Sequence, residues 1–327
     1  MSMIKKASGL AGLYIKKALK GDLMTQSIKR YKNKFEKYSF IDCECSTKEQ
    51  LEASIIRLYH TIEKGLAYEN YRAGFGRENI EKLIFSLKQY EREYGKDTFV
   101  FKTALSCLEE YKRKNLEHGY EDKEIEKWLD DLDGNPNDKG GTVFVKYPDE
   151  SENMSFERLI TTRHSIRHFS DEPVDVELLK EALRLAQFAP SACNRQGWRT
   201  RIIANKSKIE KVLKNQNGNR GFGHEIDKLL LITADLRSQQ RNRELFQAYI
   251  DGGMYAECVL EALFYKGIGS VPLSAALTYE QECNVRKELS IDDAEVLILF
   301  VGVGNYPAEG VYTTRSERKP CEIEILN

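Results

Sequence analysis

The amino-acid sequence predicts an α+β protein, a central sheet flanked by helices and preceded by an all-α region. Three observations lead there. Residues 47–132 read as helical throughout, with four apolar stripes at helical spacing. The later half holds two short apolar runs with the look of core strands, Leu229–Ala234 and Glu295–Val303. Strands and helices alternate there without a regular β-α-β repeat, which fits α+β layering better than a doubly wound sheet.

At 327 residues the chain can hold two domains of roughly 100–200 residues each. We divide it into a basic segment at 1–40, a helical domain at 41–132, a linker at 133–150 and a cofactor-binding domain at 151–327. The first 35 residues carry nine basic side chains and a single acid, Asp22, interleaved with Ile4, Leu10, Leu13, Tyr14 and Leu19. No apolar core and cleavage site of signal-peptide type is present. Two readings fit this segment: a basic amphipathic helix at the periphery of an anionic membrane, or a solvated, frayed terminus.

In the helical domain Thr47 is the expected N-cap of a helix bearing Leu51, Ile55, Leu58, Tyr59 and Ile62. Ile80, Leu83, Ile84, Leu87 and Tyr90 form a second stripe, Phe101, Leu105, Leu108 and Tyr111 a third, and Ile125, Trp128 and Leu129 a short fourth. The run of Asp, Asn, Pro and Gly at 130–141 has linker composition. Beyond it, Ser155 is the expected cap of a helix carrying Phe156, Leu159 and Ile160. Leu178, Leu179, Ala182, Leu183, Leu185, Ala186 and Ala189 mark one face of the next, closed by Pro190. Trp198–Ala204 reads as a strand, Lys208–Leu213 as a short helix and Ala248–Tyr265 as a long one.

Composition narrows the function. Fifty basic residues against fifty-one acidic ones give a net charge of −1, so no global field favours nucleic acid. The seven cysteines include no C-x-x-C pair; scattered and odd in number, they indicate reduced thiols and a cytoplasmic location. Cys43-x-Cys45 lacks the second pair that a tetrahedral metal site requires, so no metal is expected. No apolar run reaches the ~20 residues that span a bilayer. Neither a Ser-His-Asp nor a Cys-His arrangement emerges, which disfavours covalent nucleophilic catalysis.

The chemistry concentrates between Arg163 and Trp198. Arg163-His164-Ser165-Ile166-Arg167 places two guanidiniums and a hydroxyl within five residues, a set suited to a dianionic phosphate because Arg forks onto phosphate oxygens. The loop Ser191-Ala192-Cys193-Asn194-Arg195-Gln196 presents amides that pair donor and acceptor, matching the edge of a flat heterocycle. Together these suit a flavin mononucleotide. Gly218-Asn219-Arg220-Gly221-Phe222-Gly223 precedes a strand, whereas the dinucleotide fingerprint follows one. It reads either as a surface turn or as a loop in which Asn219 meets the pyrimidine edge and Arg220 offsets negative charge. Gly267-x-Gly269 would let the backbone approach a ring closely. His168 and His224 read as ordinary surface or core residues.

The R-x-S-x-R-x-F pattern, followed about two dozen residues later by A-P-S-x-x-N-x-Q-x-W, resembles the nitroreductase family of FMN enzymes. Residues 267–274 resemble that family's turn beside the reactive flavin edge, and 302–320 its last strand and basic tail. The resemblance implies a nitroreductase-like sheet and an FMN site. Its cofactor residues would be Arg163, His164, Ser165, Arg167, Pro190, Ser191, Ala192, Asn194, Gln196, Asn219, Arg220, Pro272, Leu273 and Ser274, with Arg315 or, favoured, Arg318. It implies a homodimer in which the 190–192 turn of one chain reaches the flavin of the other and the C-terminal tail crosses to the partner. It also implies hydride transfer from NADH or NADPH through flavin N5 to a small nitro, quinone or enone acceptor. Two departures stand out: Gly197 replaces a usual proline, and the tail arginines are three residues apart rather than two. Alternative functions are a flavin-binding accessory protein without turnover in a membrane-associated pathway, or a dedicated oxidase or dehydrogenase of one metabolite. In the helical domain His60 and Glu63, followed by Gly65, Gly74 and Gly76, suggest a lid bringing a proton donor and its orienting carboxylate over the flavin. The plainer reading is an i,i+3 surface pair.

Overall fold

The computed structural model describes residues 24–33, 45, 47–147, 154–239 and 241–326. Helix α1 covers 24–33; the rest of the basic segment, with most of its interleaved apolar residues, lies outside the described residues. Tyr31 of α1 packs its ring 4.9 Å from that of Phe246.

Four helices follow: α2 (Lys48–Leu66), α3 (Arg77–Tyr94), α4 (Phe99–Glu117) and α5 (Lys123–Leu132). Their caps are legible in the sequence: Thr47, Thr98 and Asp122 each accept a backbone N–H of the first turn, replacing a partner the helix cannot supply. Every member of the first three stripes is buried in one shared core, as are Ile125 and Leu129 of the fourth. Fully burying such an aliphatic or aromatic side chain contributes ~1.5–3 kcal/mol. Gly65 is needed because the Phe75 ring occupies the place of its side chain.

The later half is built on a four-stranded sheet in the order β2 (Trp198–Ile203), β3 (Lys228–Asp235), β5 (Glu295–Asn305), β4 (Ile268–Ser274), with all neighbours antiparallel. Helices α6 (Phe156–Thr162), α7 (Val176–Ala186), α8 (Lys206–Leu213), α9 (Gln247–Tyr265) and α10 (Tyr279–Leu289) surround it. All eight residues of β3 are buried because both faces are covered. Leu230, Ile232, Val301 and Val303 pack on α7 and α9, while Leu229, Leu231, Phe300 and Val271 pack on α8, α10 and Phe222. This is the α+β layering expected from the interspersed elements.

Three expectations are revised. The stretch read as linker contains strand β1 (Thr142–Val145), which pairs antiparallel with β6 (Val311–Thr314) in a separate two-stranded sheet. Residues 267–274 are strand β4 rather than a turn, because every residue from Ile268 to Ser274 finds a register partner on β5. Helix α7 buries Leu179, Ala182 and Ala186 but leaves Leu185 exposed, since at 3.6 residues per turn Leu185 falls about 90° round the helix from the 179–182–186 face.

The small residues of β4 and β5 approach a protein ring. A Cβ on Gly304 would lie 2.5 Å from Phe169, and one on Gly269 would lie 3.3 Å from it. Phe169, the aromatic of the R-x-S-x-R-x-F pattern, is buried there.

Candidate functional site

Four pieces of chain meet at one cleft of about 600 Å³, lined by the end of α6, Arg163-His164-Ser165, Val143 of β1, and Thr314 to Arg318. The arginine motif is held between two strands. Ile166 N–H donates to Ser270 O on β4 at 2.8 Å, and Thr313 Oγ1 on β6 donates to Ser165 O at 2.6 Å. The motif and the basic tail, about 150 residues apart in sequence, therefore become neighbours.

The cleft is strongly cationic. Arg163, Arg315 and Arg318 all line it. Arg163 Nε lies 3.5 Å from Glu261 of α9, yet its Nε and Nη1 atoms, and Arg315 Nε, are buried without a hydrogen-bond partner among the described residues. Buried donors are normally satisfied, and leaving them unmet costs free energy unless a ligand supplies the acceptor. Burial and then the three guanidiniums depress the His164 pKa, against a hydrogen bond with the Thr314 backbone that raises it. Behind Arg163, burial pushes the Glu261 carboxyl up to about 7 despite the guanidinium, with Glu257 one helical turn away adding to the rise. Glu317 also lines the cleft and lies 3.6 Å from Lys139.

Arg167 stands apart from this group. Its Nη1 makes only long contacts with Ser165 O at 3.4 Å and Thr314 Oγ1 at 3.3 Å. Desolvation is the main cause lowering its pKa, and its electrostatic neighbours include Tyr68 and Glu63 of the helical region. Lys64 is lowered by burial and then by Arg167. Tyr68 Oη donates to Arg220 O at 2.7 Å, which ties the end of α2 to the 218–223 loop. The Asn219 amide is turned inward onto the carbonyls of Leu213 and Gln216, and the Arg220 side chain is exposed.

The 190–196 turn lies elsewhere. Ala192 N–H donates to both oxygens of Asp251 at 3.2 and 3.3 Å, near the start of α9. Cys193, Asn194 and Gln196 take positive φ, and the Gln196 amide bonds back to Asn194. Gly197 makes room for Ser238, whose hydroxyl would lie 2.4 Å from a Cβ there. Asp251 and Glu261 mark the two stations on α9, ten residues and so about 15 Å apart. Pro272, Leu273 and Ser274 sit at the end of β4, with Ser274 O accepting from Gln216.

His60 Nδ1 lies 3.1 Å from Glu63 Oε2. Glu63 is fully buried and its other oxygen accepts Gly141 N–H at 3.2 Å. Neither His60 nor Glu63 is among the residues lining the cleft. Glu110 carries no signal in the sequence, yet its carboxylate takes the N–H and the hydroxyl of Thr142. Among the described residues no cluster of side chains suits a metal ion, and no helix is long and apolar enough to cross a membrane.

Comparison with known proteins agrees with the arginine motif. Residues 160–219 match the model of the nitroreductase family. The later half of this chain is thus similar to the nitroreductase family. An NADH dehydrogenase of Thermus thermophilus is 27% identical over 198 residues, covering 50% of this chain and 91% of the relative. Nitrobenzene nitroreductase of Ectopseudomonas oleovorans is 40% identical over 50 residues, 15% of this chain and 22% of the relative. Among solved structures, an FMN-dependent nitroreductase from Clostridium difficile shares 20% identity and a TM-score of 0.40, over 45% of this chain and 85% of that one. The matched segment of the nitroreductase domain spans Arg163, the 190–196 turn and Gly218.

Proposed function

We propose that the protein is an FMN-dependent oxidoreductase that takes hydride from NADH or NADPH and reduces a small nitro, quinone or enone compound. The observation that carries this reading is the set of buried guanidinium nitrogens of Arg163 and Arg315 in the cleft that have no hydrogen-bond partner among the described residues. A phosphate dianion supplies acceptors for them, with Ser165 and the hydroxyls of Thr314 and Ser316 at the rim. FMN, when bound, supplies a ring able to accept a hydride and pass it on. The chain's part is to hold the phosphate, orient the ring and keep one face open.

The reading includes a homodimer. One chain places its amide-rich turn and its arginine cleft at opposite stations of α9, so the turn is suited to the cofactor of a second copy. Phe188, Phe246, Tyr249 and Ile250 near that turn are 89%, 42%, 50% and 53% exposed, an apolar surface of the kind an obligate interface buries. The helical region is proposed to narrow acceptor choice: Lys64 and Tyr68 are electrostatic neighbours of Arg167, and Glu69 lies 3.3 Å from His168 of the motif. Rapid mixing of the purified, flavin-loaded protein with NADH and with NADPH tests the reading. Bleaching of the flavin absorbance within the mixing experiment supports an enzyme; a flavin that stays oxidised with both donors overturns it.

A further inference from the structure

We propose that Glu63 and Glu110 are positioning residues for the cofactor cleft, acting through the Gly141–Thr142 step on Arg315. The proposal rests on the reading of the cleft as a phosphate site. Two carboxylates from two different helices converge on two consecutive residues. Glu63 on α2 accepts Gly141 N–H at 3.2 Å, and Glu110 on α4 accepts Thr142 N–H at 2.8 Å and the Thr142 hydroxyl. The carbonyls of the same two residues face the tail. Gly141 O accepts Arg315 N–H at 3.1 Å, and Thr142 O accepts Arg315 Nη2 at 3.2 Å. One peptide step is thus held on its donor side by the helical region, and on its acceptor side it holds an arginine of the cleft.

The geometry suits this task. Arg315 has a long flexible side chain; pinning its backbone and one terminal nitrogen fixes where the rest points. Its Nε is buried and has no hydrogen-bond partner among the described residues. The glycine pair is required by close approach. A Cβ on Gly140 would lie 2.1 Å from Thr103 O on the α4 backbone, and one on Gly141, whose φ is +93°, would lie 1.9 Å from Glu110 Oε2. Besides the His60 ring, which bonds Glu63, the carboxylates accept from backbone N–H groups and a hydroxyl, as a positioning role requires. The helical region therefore contributes to cofactor retention from outside the cleft, and Arg315 is its point of delivery.

A double-mutant cycle on the full chain tests this, with FMN affinity read from flavin fluorescence. A second readout is the shift in unfolding temperature of the flavin-free protein with inorganic phosphate. Arg315→Ala is expected to weaken FMN about tenfold. Glu110→Ala should match it in the wild-type background and add less than twofold to Arg315→Ala. Glu110→Gln, whose amide can still accept from Thr142 N–H and donate to its hydroxyl, should restore near-normal affinity. Thr142→Val removes only the hydroxyl arm, guards against misfolding of the alanine variant, and should cost about threefold in wild type and nothing beside Arg315→Ala. Equal losses from Glu110→Ala in both backgrounds, or full FMN affinity in Thr142→Val and Glu110→Ala alike, overturn the relay. Arg315→Ala with unchanged affinity for both FMN and phosphate instead overturns the reading of the cleft.

Discussion

Cofactor affinity should fall as pH rises through neutrality, and Glu261 is the reason. Its Oε1 lies 3.5 Å from Arg163 Nε, while Oε2 is buried and unpartnered among the described residues. Burial, opposed by Arg163 and reinforced by Glu257, brings its pKa to about 7. A phosphate in the cleft takes the donors of Arg163 and sets its own negative charge beside Glu261, so the bound state favours the protonated carboxyl. Binding then takes up a proton above about pH 7, and affinity falls up to tenfold per unit. Between about pH 6.5 and 8.5 the expected loss reaches about 25-fold. Phosphate's own second ionisation, near 6, and His164, lowered mainly by burial, act below this window. Stability of the flavin-free protein follows the same sign. A carboxyl whose folded pKa is raised favours the fold while protonated, and that contribution is lost as pH rises from the ordinary carboxyl range through about 7. Water in the cleft screens the effect, so about 1 kcal/mol is expected. Glu261→Gln should bind FMN with little pH dependence above about 7 and should unfold at a higher temperature than wild type at about pH 8. Flavin fluorescence titrations and thermal unfolding at several pH values measure both. A wild-type dissociation constant that stays flat through this window, while Arg163→Ala still weakens binding, would refute the linkage.

Arg163→Ala should weaken FMN binding about tenfold or more, since a charge-assisted hydrogen bond contributes ~1.5–3 kcal/mol; equilibrium titration checks it. Mass measurement in solution should find a dimer carrying two flavins; a flavin-loaded monomer at micromolar concentration removes the interface reading. A chain beginning near residue 150 should lose FMN, because it lacks β1 and the carboxylates that hold it; a yellow truncated protein would contradict this. If the basic N-terminus lies on membranes, anionic vesicles should bind the full chain and salt should release it. Deleting residues 1–35 should abolish that binding.

The helices were legible because their signal is local. Leu51, Ile55, Leu58 and Ile62 repeat on one face, and the burial that rewards them falls on the same residues. The arginine cluster was legible for the same reason: charge spacing within five residues survives any fold. What escaped depends on partners distant in sequence. Strand β1 is four residues inside a polar stretch, and among the described residues it pairs with β6, some 170 residues later in the chain. Glu110 sits on an ordinary amphipathic helix, and nothing around it signals that Thr142 lies opposite. Glu63 was singled out for its neighbour His60, which it does bond, but its second oxygen faces a glycine of the supposed linker. A small residue at Gly269 signals close approach in the sequence, but the protein ring it meets, that of Phe169, lies a hundred residues earlier and carries no such signal.

That last contact separates two duties within one short motif. The first arginine of R-x-S-x-R-x-F lines the cleft, whereas its phenylalanine is a peg seated in notches cut by Gly269 and Gly304. A side chain at Gly304 would collide with the ring at once, so drift at these positions cannot proceed by small steps. A descendant that had given up its cofactor would be free to lose Arg163 but would still have to keep Phe169 and both glycines. In such a lineage the aromatic half of the motif would outlive the chemistry, and a search tuned to it would gather scaffolds along with catalysts.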